Sequence, residues 1–126
     1  MKPSPSMNEY VRKLRQSDEY YFKEGCFIIE VSNSDQDDAV SIARARVSSG
    51  GQTAWHWLTD TFERYAIMRG EGLVEIGDSD ATRVTAGDVV LIPPGTRQRI
   101  TNTGETDLEF LAICTPRFSA SQYHSD

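Results

Sequence analysis

The chain has 126 residues, 38% of them apolar and 25% charged, with a formal net charge of −6. The length predicts one domain with its own core. The acidic balance (pI about 4.9) speaks against a nucleic-acid partner, because phosphate binding wants a basic face, and against attraction to anionic membranes. No run of about 20 apolar residues is present to span a bilayer, and the start of the chain lacks the apolar core of a signal peptide, so a cytoplasmic location is the expectation.

Residues 1–19 read as a leader: two prolines among polar neighbours make residues 1–8 a disordered stretch, and residues 9–16 suit a short amphipathic helix with Tyr10, Val11 and Leu14 on its apolar side. Strands are expected over residues 20–22 and 26–31, broken at Lys23-Glu24-Gly25, followed by a polar loop over 32–38. Residues 39–47 alternate, with Ser41, Ala43, Ala45 and Val47 on one side and Ile42, Arg44 and Arg46 on the other. Those two arginines are open to three readings: solvated face, acidic-ligand site or dimer interface.

After Gly50-Gly51, residues 53–58 and 62–68 form two further period-2 runs. The first puts Ala54, His56 and Leu58 on one face and Trp55 and Trp57 on the other, and the second aligns Glu63, Tyr65 and Ile67. More strands are expected over 73–76, 82–84, 88–92, 98–101 and 108–114, separated by turn signals such as Gly77-Asp78-Ser79-Asp80 and Pro93-Pro94-Gly95. Short strands with regular turns predict an all-β sandwich or barrel over residues 20–115, with a polar tail over 116–126 on the surface. Cys26 and Cys114 lie in apolar runs and read as buried free thiols.

The glycines and ligand-type residues of this stretch resemble the two motifs of a small single-domain cupin of the conserved-barrel type, a jelly-roll fold. The first motif falls on Gly50, His56, Leu58, Glu63 and Gly70, and the second on Gly87, Pro93, Gly95, Gln98 and Asn102. The spacing is the family's throughout, and its residue is replaced at Leu58 and Gln98, where cupins of this kind carry histidines. The resemblance therefore implies a reduced metal set of His56, Glu63 and Gln98. That set leaves two states open: a weakly held Zn²⁺, Mn²⁺, Fe²⁺ or Ni²⁺, or no metal. A weaker likeness, carried by residues 63–67 and 111–118, is to ectoine-synthase-type cupins, which act with an incomplete ligand quartet.

Two functions follow from the resemblance. One is an isomerase, cyclase or lyase working on a small polar metabolite by proton transfer, with His56, Glu63 and Tyr65 as the catalytic groups. Leu58, Ile67, Gln98 and Ile100 would contact substrate. The other is a non-catalytic small-molecule binder or sensor with a degenerate metal site. Cupins of this size commonly form homodimers, and the outward Trp55 and Trp57 suit such an interface.

Overall fold

The computed structural model describes residues 10–126. Eleven strands fill it: β1 (Tyr20–Phe22), β2 (Cys26–Ser32), β3 (Ser41–Val47), β4 (His56–Leu58), β5 (Phe62–Arg69), β6 (Glu71–Ile76), β7 (Thr82–Thr85), β8 (Val89–Ile92), β9 (Gln98–Asn102), β10 (Leu108–Thr115) and β11 (Tyr123–Ser125). They form a six-stranded sheet in the order β1-β2-β3-β10-β5-β8 and a five-stranded sheet in the order β11-β4-β9-β6-β7, with every pairing antiparallel. The result is a two-sheet jelly-roll, as the period-2 pattern predicts.

Alternation decides which side chains enter the space between the sheets. In β5, Glu63, Tyr65 and Ile67 are buried while Phe62, Arg64 and Ala66 are less so. In β9 the buried positions are Gln98, Ile100 and Asn102. Val47, Ile67, Val74, Ile92, Ile100, Leu108 and Phe110 belong to the apolar core. Gly70 lets β5 turn into β6: its φ is +82°, and a Cβ there would lie 2.6 Å from the Asp107 carbonyl oxygen, so no other residue fits without backbone movement.

One expectation about the chain ends fails. No helix forms over residues 10–15; a single 3₁₀ turn at Gln16–Asp18 is all that follows, and Tyr10, Val11 and Leu14 are exposed. A segment this short cannot recover its nucleation cost without an apolar face to bury. The remaining positions of that segment lie outside the described residues. The C-terminal tail has no buried residue, and it turns through Ala120–Gln122 and adds β11 to the edge of β4, pairing Tyr123 with Leu58 and Ser125 with His56, a strand the sequence reading does not include. Among the described residues no helix is long and apolar enough to cross a membrane.

The arginines of β3 face away from the barrel interior into an ionic network. Arg44 contacts Glu19 at 2.6 Å and Glu109 at 2.9 Å, and Arg46 contacts Glu19 at 2.8 Å and Asp107 at 3.3 Å. Arg46 also lies 4.3 Å from the Phe27 ring centroid. The outward tryptophans are covered from within the chain. Arg97 and Arg99 lie over Trp55, and His124 of β11 stacks on Trp57.

Candidate functional site

The space that the core does not fill is a cavity of about 70 Å³, enough for a few waters or a small metabolite. Its polar wall includes Glu24, Glu30, Asn33, Ser41, His56, Glu63 and Cys114. Its apolar wall includes Phe22, Ile28, Ala43, Ala45, Leu58, Phe110 and Phe118, with Tyr20, Tyr65 and Tyr123 presenting ring and hydroxyl together. Small residues on the inner face of β3 leave this room, since Ser41, Ala43 and Ala45 stand where larger side chains would fill it.

His56 is only 3% exposed, and both its ring nitrogens face oxygen. Nδ1 lies 2.7 Å from the Ala54 carbonyl, which can only accept, so Nδ1 carries a proton. Nε2 lies 2.8 Å from Oε2 of Glu24, and that carboxylate oxygen has no other partner. The contact is attractive only with a proton between the two atoms. The pair is therefore an imidazolium beside a carboxylate, or a neutral imidazole accepting from a protonated carboxyl. Burial pulls the His56 pKa down, but the hydrogen bond and charge of Glu24, the Ala54 carbonyl and the charge of Glu63 outweigh it, and the net shift is upward.

Glu24 reaches this place because of the β1–β2 turn. Gly25 N–H bonds back to the Phe22 carbonyl, and the Ala54 N–H donates to the Glu24 carbonyl at 2.7 Å. Ala54 thus clamps the turn with its N–H and holds the imidazole with its carbonyl. Gly25 adopts φ +103°, and a Cβ there would stand 3.0 Å from the Gln52 carbonyl oxygen, so the close approach needs glycine.

Glu63 is the second buried acid. Its Oε1 accepts from the Gln98 side-chain amide at 2.8 Å, and Cys114 Sγ is 4.0 Å from Oε2. Burial raises its pKa first of all; the Gln98 bond and the His56 charge lower it and the Glu24 charge raises it, leaving it at about 7. The Gln98 oxygen accepts in turn from the Tyr65 hydroxyl. Burial pushes the Tyr65 phenol upward as well, with the charges of Glu63 and Glu24 adding to it. Cys114 is pushed up to about 12, chiefly by burial and then by the Glu63 charge, so it is no nucleophile at neutral pH.

The residues named from the sequence divide accordingly. His56, Leu58, Glu63 and Tyr65 all line the cavity. Gln98 does not; it stands directly across β4–β9 from His56, fully buried, with both amide atoms spent on Glu63 and Tyr65. Ile67 and Ile100 are core residues away from the cavity wall: the inward positions of β5 pass from the cavity at Glu63 and Tyr65 to packed core at Ile67, and the inward residues of β9 do not reach the wall. Glu24 escapes a sequence reading because it sits in a turn 32 positions before its partner and in no motif. Tyr123 escapes it for a similar reason: it arrives from the tail to stack on His56 with centroids 5.5 Å apart. Its hydroxyl is buried without a hydrogen bond of normal geometry.

The donor set does not fit a divalent metal in this arrangement. His56 Nε2 is taken up by Glu24, Gln98 turns no free donor to the cavity, and Leu58 has none to offer. Among the described residues no three of His, Cys, Asp or Glu are grouped to hold an ion.

Residues 43–114 match the Cupin domain family. An uncharacterized protein of Methanocaldococcus jannaschii is 33% identical over 102 residues, covering 79% of this chain and 81% of that protein. The oxalate-binding protein of Thermotoga maritima is 39% identical over 71 residues, 56% of this chain and 58% of that one. Among solved structures, a predicted oxalate decarboxylase from Thermotoga maritima superposes with a TM-score of 0.72 at 26% identity, covering 82% of this chain and 98% of that one. The Streptomyces nucleoside dehydratase Pac13 has a TM-score of 0.73 at 18% identity, over 90% of this chain and 89% of that one, a likeness of fold alone. The two-sheet barrel, the motif spacing through Gly50–Asn102 and these matches agree: the chain belongs to the cupin domain family.

Proposed function

We propose that this protein binds a small polar metabolite inside the barrel and moves protons on it, in the manner of an isomerase, cyclase or lyase. The observation that carries the reading is the buried His56–Glu24 pair, which holds one transferable proton at a cavity wall. Glu63 complements it. A carboxyl group titrating at about 7 is half ionised at neutral pH, where a general base is most effective. In an elimination, Glu63 takes the proton from a ligand carbon and the electron pair of that C–H bond forms the new double bond. The His56–Glu24 pair protonates the departing hydroxyl, which leaves as water. In an isomerisation the pair returns a proton to the ligand instead, and no co-reactant is needed. Tyr65 positions Gln98, and Gln98 positions Glu63.

Substrate conversion followed by NMR in D₂O, across hydroxy and carbonyl metabolites, tests the reading. Exchange or loss of a C–H signal is expected, falling by ~10²–10⁴-fold in His56→Asn. A second reading, the non-catalytic binder, is favoured by one observation: Gln98 donates to Glu63 and accepts from Tyr65, so both groups are already paired with the barrel's own side chain. Binding without exchange by any ligand would establish it. A cytoplasmic location, supported by two buried free thiols, and a homodimer, which light scattering after size exclusion checks, complete the proposal. Metal analysis of protein purified without chelator is expected to find well under one ion per chain.

A further inference from the structure

The charge on the cavity wall selects among small metabolites. Among the described residues three carboxylates line it, those of Glu24, Glu30 and Glu63, with the His56 imidazole as the single basic group and no lysine or arginine. The arginines of β3 are engaged on the opposite face of the sheet by Glu19, Glu109 and Asp107. Lys23 is held with its ammonium 4.9 Å from the Tyr123 ring centroid and is not part of the wall.

The three acids differ in what they do. Glu24 answers His56, and Glu63 answers Gln98. Glu30 has only the Asn33 amide, at 3.4 Å from each carboxylate oxygen, and no cation pairs with it among the described residues. It is solvent-exposed at the cavity rim, while Asn33 also donates to the Phe118 carbonyl at 2.9 Å, which fixes Phe118 beside it. Tyr20, from the neighbouring strand, shares that part of the wall, and the Glu30 charge is one of the causes that raise its phenol pKa, after burial. A carboxylate flanked by aromatic rings attracts an organic cation by charge and by the ring quadrupoles together. An oxalate-like dianion would meet three carboxylates and gain one imidazole.

We propose that the cavity takes a small organic ammonium compound, with its cationic end held by Glu30 beside Tyr20 and Phe118 and its other end reaching Glu24 and His56. This rests on reading the cavity as the ligand site. The ammonium end anchors and orients the compound, and the paired groups at the inner end meet its hydroxyl or carbonyl.

The test is a titration of the full chain, followed by amide NMR, with three probes: ethanolammonium, the neutral propan-1-ol, and oxalate. Ethanolammonium is expected to shift cavity resonances and to bind at least ~10-fold more tightly than propan-1-ol, with oxalate weakest. Glu30→Gln is expected to remove that ~10-fold preference. Asp78→Asn, which removes the same charge from an exposed turn, is expected to keep it. Oxalate binding as tightly as ethanolammonium, an unchanged preference in Glu30→Gln, or no ammonium binding up to ~10 mM each overturns the inference. Ammonium binding without any proton exchange on amine substrates would leave this inference standing and sink the proposed chemistry. Exchange confined to neutral or anionic substrates would do the reverse.

Discussion

Two ionic clusters lie on either side of the six-stranded sheet, one on its outer face and one in the barrel interior between the two sheets, and they are built for different work. On the outer face Arg44 and Arg46 share Glu19, and each takes a further carboxylate, so every carboxylate there has a guanidinium partner that never titrates. In the interior Glu24 and Glu63 meet His56 of the other sheet at the cavity, and the pKa values of His56 and Glu63 are both raised, that of Glu63 to about 7. Arginine fixes a charge, whereas a histidine or a desolvated glutamate holds a proton that can leave. A cluster that only ties strands together is best made from the first kind. One that reacts needs the second.

The clusters also push stability in opposite directions with pH. Glu19 has a lowered pKa, chiefly through its Arg46 hydrogen bond, opposed by burial and helped by the charges of both arginines. Its contribution is complete above the unfolded value of 4.5 and is lost as pH falls through the folded value. Glu63 and His56 are both raised, so the folded protein holds protons that the unfolded chain has released, and their contributions are lost as pH rises.

The largest effect is expected from breaking the outer cluster. Arg44→Met leaves Glu19 and Glu109 partly buried without their shared cation, and should cost about 3 kcal/mol, read as a lower urea midpoint at unchanged slope. The cavity and its NMR response to ligand should survive, because Arg44 does not touch it. Next comes Glu63→Gln. In the parent protein, stability should decline from pH 4.5 through about 7, by up to on the order of 3 kcal/mol from Glu63 alone. The glutamine variant should flatten that decline and keep only the His56 part, which is full below about 6.5 and fades above it. Urea unfolding at pH 4.5, 6 and 8 on both proteins checks this; parallel curves would refute it.

How far the sequence could be read follows from the reach of each signal. Alternation is local, so the inward turn of Glu63, Tyr65 and Ile67, and of Gln98 and Ile100, could be seen without coordinates. The motif spacing carried the barrel itself. Which inward residues meet open space and which meet packed core depends on the other sheet, so alternation alone does not separate Ile67 and Ile100, which pack in the core, from the residues of the cavity wall. Glu24 and Tyr123 enter the site through long-range pairings: a turn bonded to Ala54, and a tail strand bonded to β4. Neither leaves a periodic trace. The arginines of β3 were ambiguous for the same reason, since Glu19, Asp107 and Glu109 are brought to them only by the sheet order.

The smallest expected change is also the most direct probe of the inner cluster. Glu24→Gln keeps the shape of the turn and removes the charge facing Nε2. The new amide can donate to a neutral imidazole, whereas the carboxylate demanded a proton from it, so the balance at His56 tips from the charged to the neutral ring. Burial, which opposes protonation and is the largest single influence on this group, then acts with less opposition. The titration midpoint of His56 should fall in the variant, followed by NMR of the ring nitrogens with His124 as the second histidine signal. Nδ1 should stay protonated throughout, because the Ala54 carbonyl holds it in either state. If the midpoint stays where it was, Glu24 is a spectator, the proton belongs to His56 and Glu63 alone, and the inner cluster loses the feature that sets it apart from the outer one.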